Sequence, residues 1–162
     1  MALLVSVAIG IGSNKGDRLD FLKKASDRLM EDAVLQGRSA SVYETEAWGG
    51  VTDKAFLNTV VVGQTDWKPP ALVSYLKELE RELGRTLSVR YGDREIDLDL
   101  LAYGSEIWNS EGVQVPHPRM AERDFVLVPL AEVWPEWTHP VLGQTAVQLK
   151  GALGPSSIRV FK

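Results

Sequence analysis

The chain alternates apolar and acidic residues in the stretch Ile96-Asp97-Leu98-Asp99-Leu100-Leu101. A period of two is typical of a strand that buries one of its faces. The apolar residues at even positions then point to the core, while Asp97 and Asp99 point to the other side. The stretch therefore predicts a strand over residues 96–103 that holds two neighbouring carboxylates on a rigid element.

The two aspartates allow two interpretations. Alternating acids are common on the solvated face of a strand, but a close carboxylate pair can also bind a divalent cation. The second interpretation is favoured by Arg85, Arg90 and Arg94, which stand just upstream and could bind the phosphates that accompany Mg²⁺. Glu95 shares the parity of the aspartates and is expected to frame the site.

The pattern of the remaining chain predicts the order β-α-β-β-α-β. Strands are predicted at residues 3–11, within 34–43 and at 56–62. A first helix follows the turn at 12–17, with Leu19, Leu22 and Leu29 on its apolar face. A second helix opens at Pro69-Pro70 and ends at Gly84. This order is the split βαβ pattern of an α+β, ferredoxin-like sandwich, an antiparallel sheet with helices packed on it.

After residue 106 we expect a C-terminal extension with a short helix at about 125–133, and we expect residues 1–162 to form one domain. The chain has 162 residues, no cysteine and a formal net charge of −4. Disulfides and cysteine nucleophiles are therefore excluded, and a nucleic-acid partner, which demands a basic face, is not expected. The first residues lack a basic segment and an apolar run of membrane-spanning length, so we expect a cytoplasmic protein with no membrane partner.

A glycine-bearing segment, Gly10-Ile11-Gly12-Ser13-Asn14-Lys15-Gly16, spans the end of the first predicted strand and the turn after it. It is not a Walker A loop, because the Gly-Lys-Ser/Thr ending is absent. A tight strand-to-helix turn is the better interpretation, so any phosphate chemistry has to depend on metal and arginine.

Two further groups of residues suggest binding sites. His117, Arg119 and Arg123 could donate to anionic oxygens, although a lone histidine is more often structural. Phe56 and Asn58 share a strand face and could stack on and hydrogen-bond a flat heterocycle. The alternative is a core phenylalanine beside a turn-capping asparagine.

Taken in order, these groups resemble the 6-hydroxymethyl-7,8-dihydropterin pyrophosphokinases of folate biosynthesis. The segments that carry the resemblance are Gly12-Ser13-Asn14, Tyr43-Glu44-Thr45, Phe56-Leu57-Asn58, Leu79-Glu80 with Gly84-Arg85, Gly92-Asp93-Arg94-Glu95-Ile96-Asp97-Leu98-Asp99, and Val115-Pro116-His117 with Arg123-Asp124-Phe125. The resemblance covers about residues 5–135. It implies a monomer that transfers diphosphate from ATP to the hydroxymethyl group of the pterin and releases AMP.

The resemblance also implies roles for single residues. Asp97 and Asp99 would bind two Mg²⁺ ions, and Arg85 and Arg94 would act on the phosphates. The residues that would contact ATP are Glu80, Arg90, His117 and Arg123. The residues that would bind the pterin are Thr45, Phe56, Asn58 and Phe125, with the two phenylalanines on either side of the ring. Trp48 would lie in a lid.

Two rival functions use the same order of elements. A small-ligand-binding module without catalysis would explain the fold but would leave Asp97, Asp99 and the arginines without a joint purpose. An RNA-binding sheet needs exposed aromatic residues on its central strands and a basic surface. The aspartates and the negative net charge disfavour it.

Overall fold

A computed structural model describes residues 3–45, 54–84, 94–110 and 112–161 of the chain. The strands are β1 (Val5–Ser13), β2 (Leu35–Ser39), β3 (Tyr43–Thr45), β4 (Phe56–Thr65), β5 (Asp97–Tyr103), β6 (Trp108–Ser110), β7 (Val113–Val115) and β8 (Arg159–Val160). The helices are α1 (Arg18–Asp32), α2 (Pro69–Glu82), α3 (Asp124–Val133) and α4 (Ala146–Ala152), and a short 3₁₀ turn spans Met120–Glu122. In these ranges no helix is long and apolar enough to cross a membrane.

The main sheet has the strand order β5-β1-β4-β3-β8, with β2 also paired to β4. All of its described pairings are antiparallel. This order confirms the predicted ferredoxin-like sandwich. The predicted second strand is divided into β2 and β3, which pair with different parts of β4.

Helices α1 and α2 cover one face of the sheet. The side chain of Asp17 caps the start of α1 by accepting a hydrogen bond from the Asp20 amide at 3.2 Å. Leu22 and Leu29 are buried as predicted, whereas Leu19 is 47 % exposed. The prediction for Leu19 was wrong: it lies in the first turn of α1, where its side chain stays accessible to solvent.

Helix α2 begins and ends where the sequence predicts. Pro69 and Pro70 occupy its first turn, where a missing N–H costs nothing. The helix closes with Leu83 as its C-cap, and Gly84 follows with φ of +101°. Glycine adopts this left-handed conformation without the steric cost that other residues meet.

The opposite face of the sheet packs against α3 and α4. Ala8 of β1, Val60 of β4 and Leu127 of α3 belong to this second core, whereas Ile9, Ile11 and Leu57 face α1 and α2. Side chains alternate between the two faces along each strand. The residues Gly10 and Gly12 therefore lie on the α3 face of β1, together with the aspartates of β5.

The C-terminal extension is more structured than the sequence predicts. Beyond the predicted α3 it contains the β6–β7 hairpin, helix α4 and strand β8. Helix α4 starts with a capping box formed by Thr145 and Gln148. Strand β8 pairs with β3, where Val160 lies opposite Tyr43 and Arg159 opposite Glu44.

Candidate active site

A row of residues crosses the sheet on its α3 face. Asp97 on β5 lies opposite Gly12 on β1, Gly12 lies opposite Asn58 on β4, and Asn58 lies opposite Tyr43 on β3. Neighbouring strands are about 4.8 Å apart, so the backbones of Asp97 and Asn58 are separated by roughly 10 Å. The acidic pair and the amide predicted from the sequence are therefore brought together on one surface.

The acidic end of the row carries Asp97 and Asp99. The Nη1 atom of Arg94 lies 3.3 Å from Oδ2 of Asp97. Burial, together with the nearby Asp97 carboxylate, raises the pKa of Asp99 to about 7, against the opposing effect of Arg123. Two neighbouring carboxylates provide the oxygen ligands that a divalent cation prefers.

Glu80 connects α2 to the acidic strand. Its side chain is 8 % exposed, and its Oε2 atom accepts a hydrogen bond from the backbone amide of Leu98 at 2.7 Å. Leu98 lies between the two aspartates. The Glu80 carboxylate therefore fixes the position of the strand segment that carries both of them.

A cleft of about 370 Å³ opens over β5. The residues that line it are Val73, Leu76, Lys77, Glu80, Arg94, Asp97, Leu98, Asp99, Leu100, Gly112, Gln114 and His117. Five of these, Glu80, Arg94, Asp97, Asp99 and His117, are residues for which the sequence predicts a role at the phosphates or the nucleotide. Both α2 and β5 contribute charged and apolar side chains to the cleft.

His117 presents a hydrogen-bond donor to this cleft. Its Nδ1 atom accepts from the backbone amide of Arg119 at 3.2 Å, so the neutral ring carries its proton on Nε2. Burial and the positive charge of Arg123 lower the pKa of His117 to about 4. The backbone amide of His117 donates to the carbonyl oxygen of Leu101 at 2.9 Å, which fixes the residue to β5.

Arg123 lies between the two ends of the site. Its charge acts on both Asp99 and His117. Its guanidinium carbon is 5.5 Å from the ring centroid of Phe125, within cation–π distance. Phe125 is partly buried in the first turn of α3 and packs against the second core.

The amide end of the row consists of Asn58, Phe56 and Thr45. Asn58 is 7 % exposed, and within the described ranges its Nδ2 atom has no hydrogen-bond partner although it is buried. Buried donors are rarely left unpaired in folded proteins, so this one points to a ligand. Phe56 lies opposite the buried Thr45, on the same face as Asn58.

Two residues of the site were not singled out from the sequence. Gly12 leaves room for Asn58, because a Cβ atom at position 12 would lie 2.8 Å from its Oδ1 atom. Asn14 hydrogen-bonds residues next to β4 and β5. Both belong to the segment Gly12-Ser13-Asn14, which was interpreted as a turn and as part of the family resemblance, with no role given to either residue. The predicted roles of Arg85 and Arg90, and of Trp48 in a lid, lie outside the described residues.

A ferredoxin-like fold with a cleft that brings carboxylates and arginines together suits the class of enzymes that transfer phosphoryl groups. The sequence profile of the 7,8-dihydro-6-hydroxymethylpterin-pyrophosphokinase family matches residues 8–135. The chain belongs to this family. As the motifs indicated, it transfers diphosphate from ATP to the hydroxymethyl group of 6-hydroxymethyl-7,8-dihydropterin, which gives the pterin diphosphate and AMP in folate biosynthesis.

Individual relatives agree with this assignment. The chain is 36 % identical over 147 residues to a 2-amino-4-hydroxy-6-hydroxymethyldihydropteridine pyrophosphokinase of Aquifex aeolicus, covering 91 % of each chain. It is 44 % identical over 126 residues to the enzyme of the same name from Bacillus subtilis, covering 77 % of this chain and 75 % of the relative.

A solved structure supports the fold. Wild-type HPPK-DHPS of Plasmodium falciparum superposes with a TM-score of 0.71 at 13 % identity, covering 94 % of this chain. This chain spans only 45 % of that longer one. At such low identity the likeness concerns the fold alone.

Proposed function

We propose that ATP binds in the cleft over β5, that the pterin binds beside Asn58 on β4, and that diphosphate transfer takes place between them above Gly12. The observation that carries this proposal is the row Asp97–Gly12–Asn58 on one face of the sheet. The row has a charged half at Asp97 and a hydrogen-bonding half at Asn58. Two substrates bound at these two ends can meet above Gly12.

The acidic half fits Mg²⁺. In the described part of the chain no group of three or more His, Cys, Asp or Glu side chains could hold a metal. A site made of Asp97 and Asp99 alone suits Mg²⁺, which takes one or two carboxylates and completes its shell with substrate phosphates and water. When bound, Mg²⁺ would neutralise charge on the triphosphate oxygens. We expect two ions.

Cationic and neutral donors of the cleft would fix the triphosphate. Arg94, held beside Asp97, and Arg123 carry positive charge to the phosphate oxygens. His117 would add an uncharged Nε2–H donor, since its pKa near 4 keeps it neutral at pH 7. Glu80 would act by holding β5. Contributions of Arg85 and Arg90 stay predictions from the sequence.

The amide half fits a pterin ring. Asn58 offers a donor and an acceptor on one small group, which suits the edge of a heterocycle that alternates donors and acceptors. Phe56 on β4 and Phe125 on α3 would pack against the two faces of the ring, where aromatic stacking stabilises a bound heterocycle. Thr45, opposite Phe56, would close the pocket.

The reaction then requires mainly alignment. The hydroxymethyl oxygen forms a bond to the β-phosphorus and releases its proton to water. The bond from that phosphorus to the oxygen bridging the α-phosphate breaks, and AMP leaves with that oxygen. The residues of this chain hold both substrates in line and shield the charge, which is most of what phosphoryl transfer asks of a protein.

The decisive experiment replaces Asp97 or Asp99 by alanine and measures AMP formation from ATP, Mg²⁺ and the hydroxymethyl pterin. Turnover should fall by about a thousandfold or more, because metal-assisted charge stabilisation amounts to several kcal/mol. The pterin Kd should stay within about threefold. Asp27→Ala, an exposed change on α1, is the matched control and should keep full activity.

Near-normal turnover in either variant would overturn the metal assignment. If the unmodified protein formed no AMP at any Mg²⁺ concentration, the chain would instead be a ligand-binding module. The monomeric state and the cytoplasmic location also stay predictions; light scattering of the purified protein tests the first of them.

A further inference from the structure

Asn14 makes an unusual set of contacts directly after β1. The residue is 3 % exposed. Its backbone amide donates to the carbonyl oxygen of Arg94 at 3.0 Å, and its Oδ1 atom accepts from the backbone amide of Arg94 at 2.7 Å. Its Nδ2 atom donates to the carbonyl oxygen of Lys54 at 3.2 Å.

The two hydrogen-bond partners of Asn14, Arg94 and Lys54, lie next to different halves of the site. Arg94 precedes β5, and its guanidinium contacts Asp97. Lys54 precedes β4, two residues before Phe56. A second side chain supports the same segment, because Nη1 of Arg18 donates to the carbonyl oxygen of Ala55 at 3.1 Å. One small amide therefore connects the residues that lead into the phosphate half and into the pterin half.

We propose that Asn14 is a positioning residue that sets the separation of the two substrates without touching either of them. The inference rests on the proposed function, in which the phosphates lie beside Arg94 and the pterin beside Phe56. In-line transfer is sensitive to displacements of about 1 Å, which can cost about a hundredfold in rate. Because Asn14 is hydrogen-bonded to both segments, it keeps the phosphate half and the pterin half from shifting relative to each other.

The test separates alignment from binding. Asn14→Ala loses the side-chain hydrogen bonds to the backbone of Arg94 and Lys54, and kcat should fall by about ten- to a hundredfold. The Kd values for the pterin and for a non-hydrolysable ATP analogue, each measured by calorimetry, should change by less than about threefold, because each half keeps its own contacting side chains.

The conservative variant Asn14→Asp retains an acceptor for the Arg94 amide and loses the donor to Lys54. It should recover part of the lost kcat. A residue that only stabilises the fold would not produce this combination of unchanged Kd, reduced kcat and partial recovery.

Leu149→Ala serves as the stability control, since Leu149 is buried in α4 on the far side of the second core. It should lower Tm and leave kcat unchanged well below Tm. If Asn14→Ala lowered Tm to the same degree and kept kcat within twofold, the proposal would be wrong. Should Asn14→Ala fail to fold, a kcat within twofold of the wild type in Asn14→Asp would overturn it equally.

The same measurements distinguish a failure of the proposed function from a failure of the role of Asn14. If the wild-type protein formed no AMP, both the proposed function and the role of Asn14 would fall. If the wild type were active and only the Asn14 variants behaved as the stability control does, the proposed function would stand without this inference.

Discussion

Replacing Gly12 by alanine should weaken pterin binding while leaving the fold intact. The added Cβ atom would lie 2.8 Å from Oδ1 of Asn58 and 3.7 Å from Cδ1 of Phe56. The first distance is shorter than real Cβ contacts allow, so the Asn58 amide must retreat by roughly 0.5 Å, which is enough to misalign a hydrogen bond. The second distance is an ordinary contact that needs no adjustment.

The expected magnitude follows from the role of the amide. A buried hydrogen-bonding group that loses its partner costs about 1–3 kcal/mol, which corresponds to a rise in the pterin Kd of about 5- to 150-fold. Calorimetric titration of the pterin, with and without Mg²⁺ and a non-hydrolysable ATP analogue, measures this directly. The Kd of the ATP analogue itself should change little.

Gly10→Ala is the matched control, because Gly10 lies on the same strand and the same face. Its added Cβ atom would meet only the flexible Leu101 side chain, at 3.4 Å, and the pterin Kd should stay within about twofold. If Gly12→Ala folded with an unchanged Tm and bound the pterin within twofold of wild type, Asn58 would not read the pterin and the reasoning would be refuted.

Two further predictions concern the opposite sides of the site. Phe125→Ala should raise the pterin Kd by about tenfold, since stacking and buried aromatic area are lost together; an unchanged affinity in the same titration would count against stacking. The pKa of His117 is about 4 in the folded protein, against 6.5 for an ordinary histidine. On acidification the His117 ring is therefore protonated in the unfolded chain before it is protonated in the folded one. Its contribution to stability is therefore complete above pH 6.5 and is lost as the pH falls toward 4. His117→Gln should then lose less Tm than wild type across this window, and parallel curves of Tm against pH would contradict the assignment.

Local patterns predicted the parts of the fold whose cause is local. The alternation around Asp97 and Asp99 predicted β5, because burial of one face imposes a period of two. The two prolines and Gly84 predicted the ends of α2, because these residues restrict or permit particular backbone angles regardless of tertiary contacts. Asp97 and Asp99 could be singled out for the same reason, whereas the roles of Glu80, Thr45 and Phe125 were predicted only from the resemblance to the family.

Other features depend on partners far away in the sequence. Asn14 and Arg94 are hydrogen-bonded across 80 positions, and nothing in either local sequence indicates the other. Strand β8 has two residues and is defined by its pairing with β3. Helix α4 had a readable signal, the capping box from Thr145 to Gln148, but seven residues make only about two turns, which is too short for a clear periodicity.

Strand β5 stands at one end of the sheet, so its outer backbone groups could pair with a strand of another molecule. Other parts of the same chain pair with backbone groups of this edge strand. The Glu80 carboxylate accepts from the amide of Leu98, and the amide of His117 donates to the carbonyl of Leu101. A buried charge and a proline-flanked segment make such an edge a poor template for intermolecular pairing. The residues that hold the acidic strand in place thus also protect the protein against edge-to-edge aggregation.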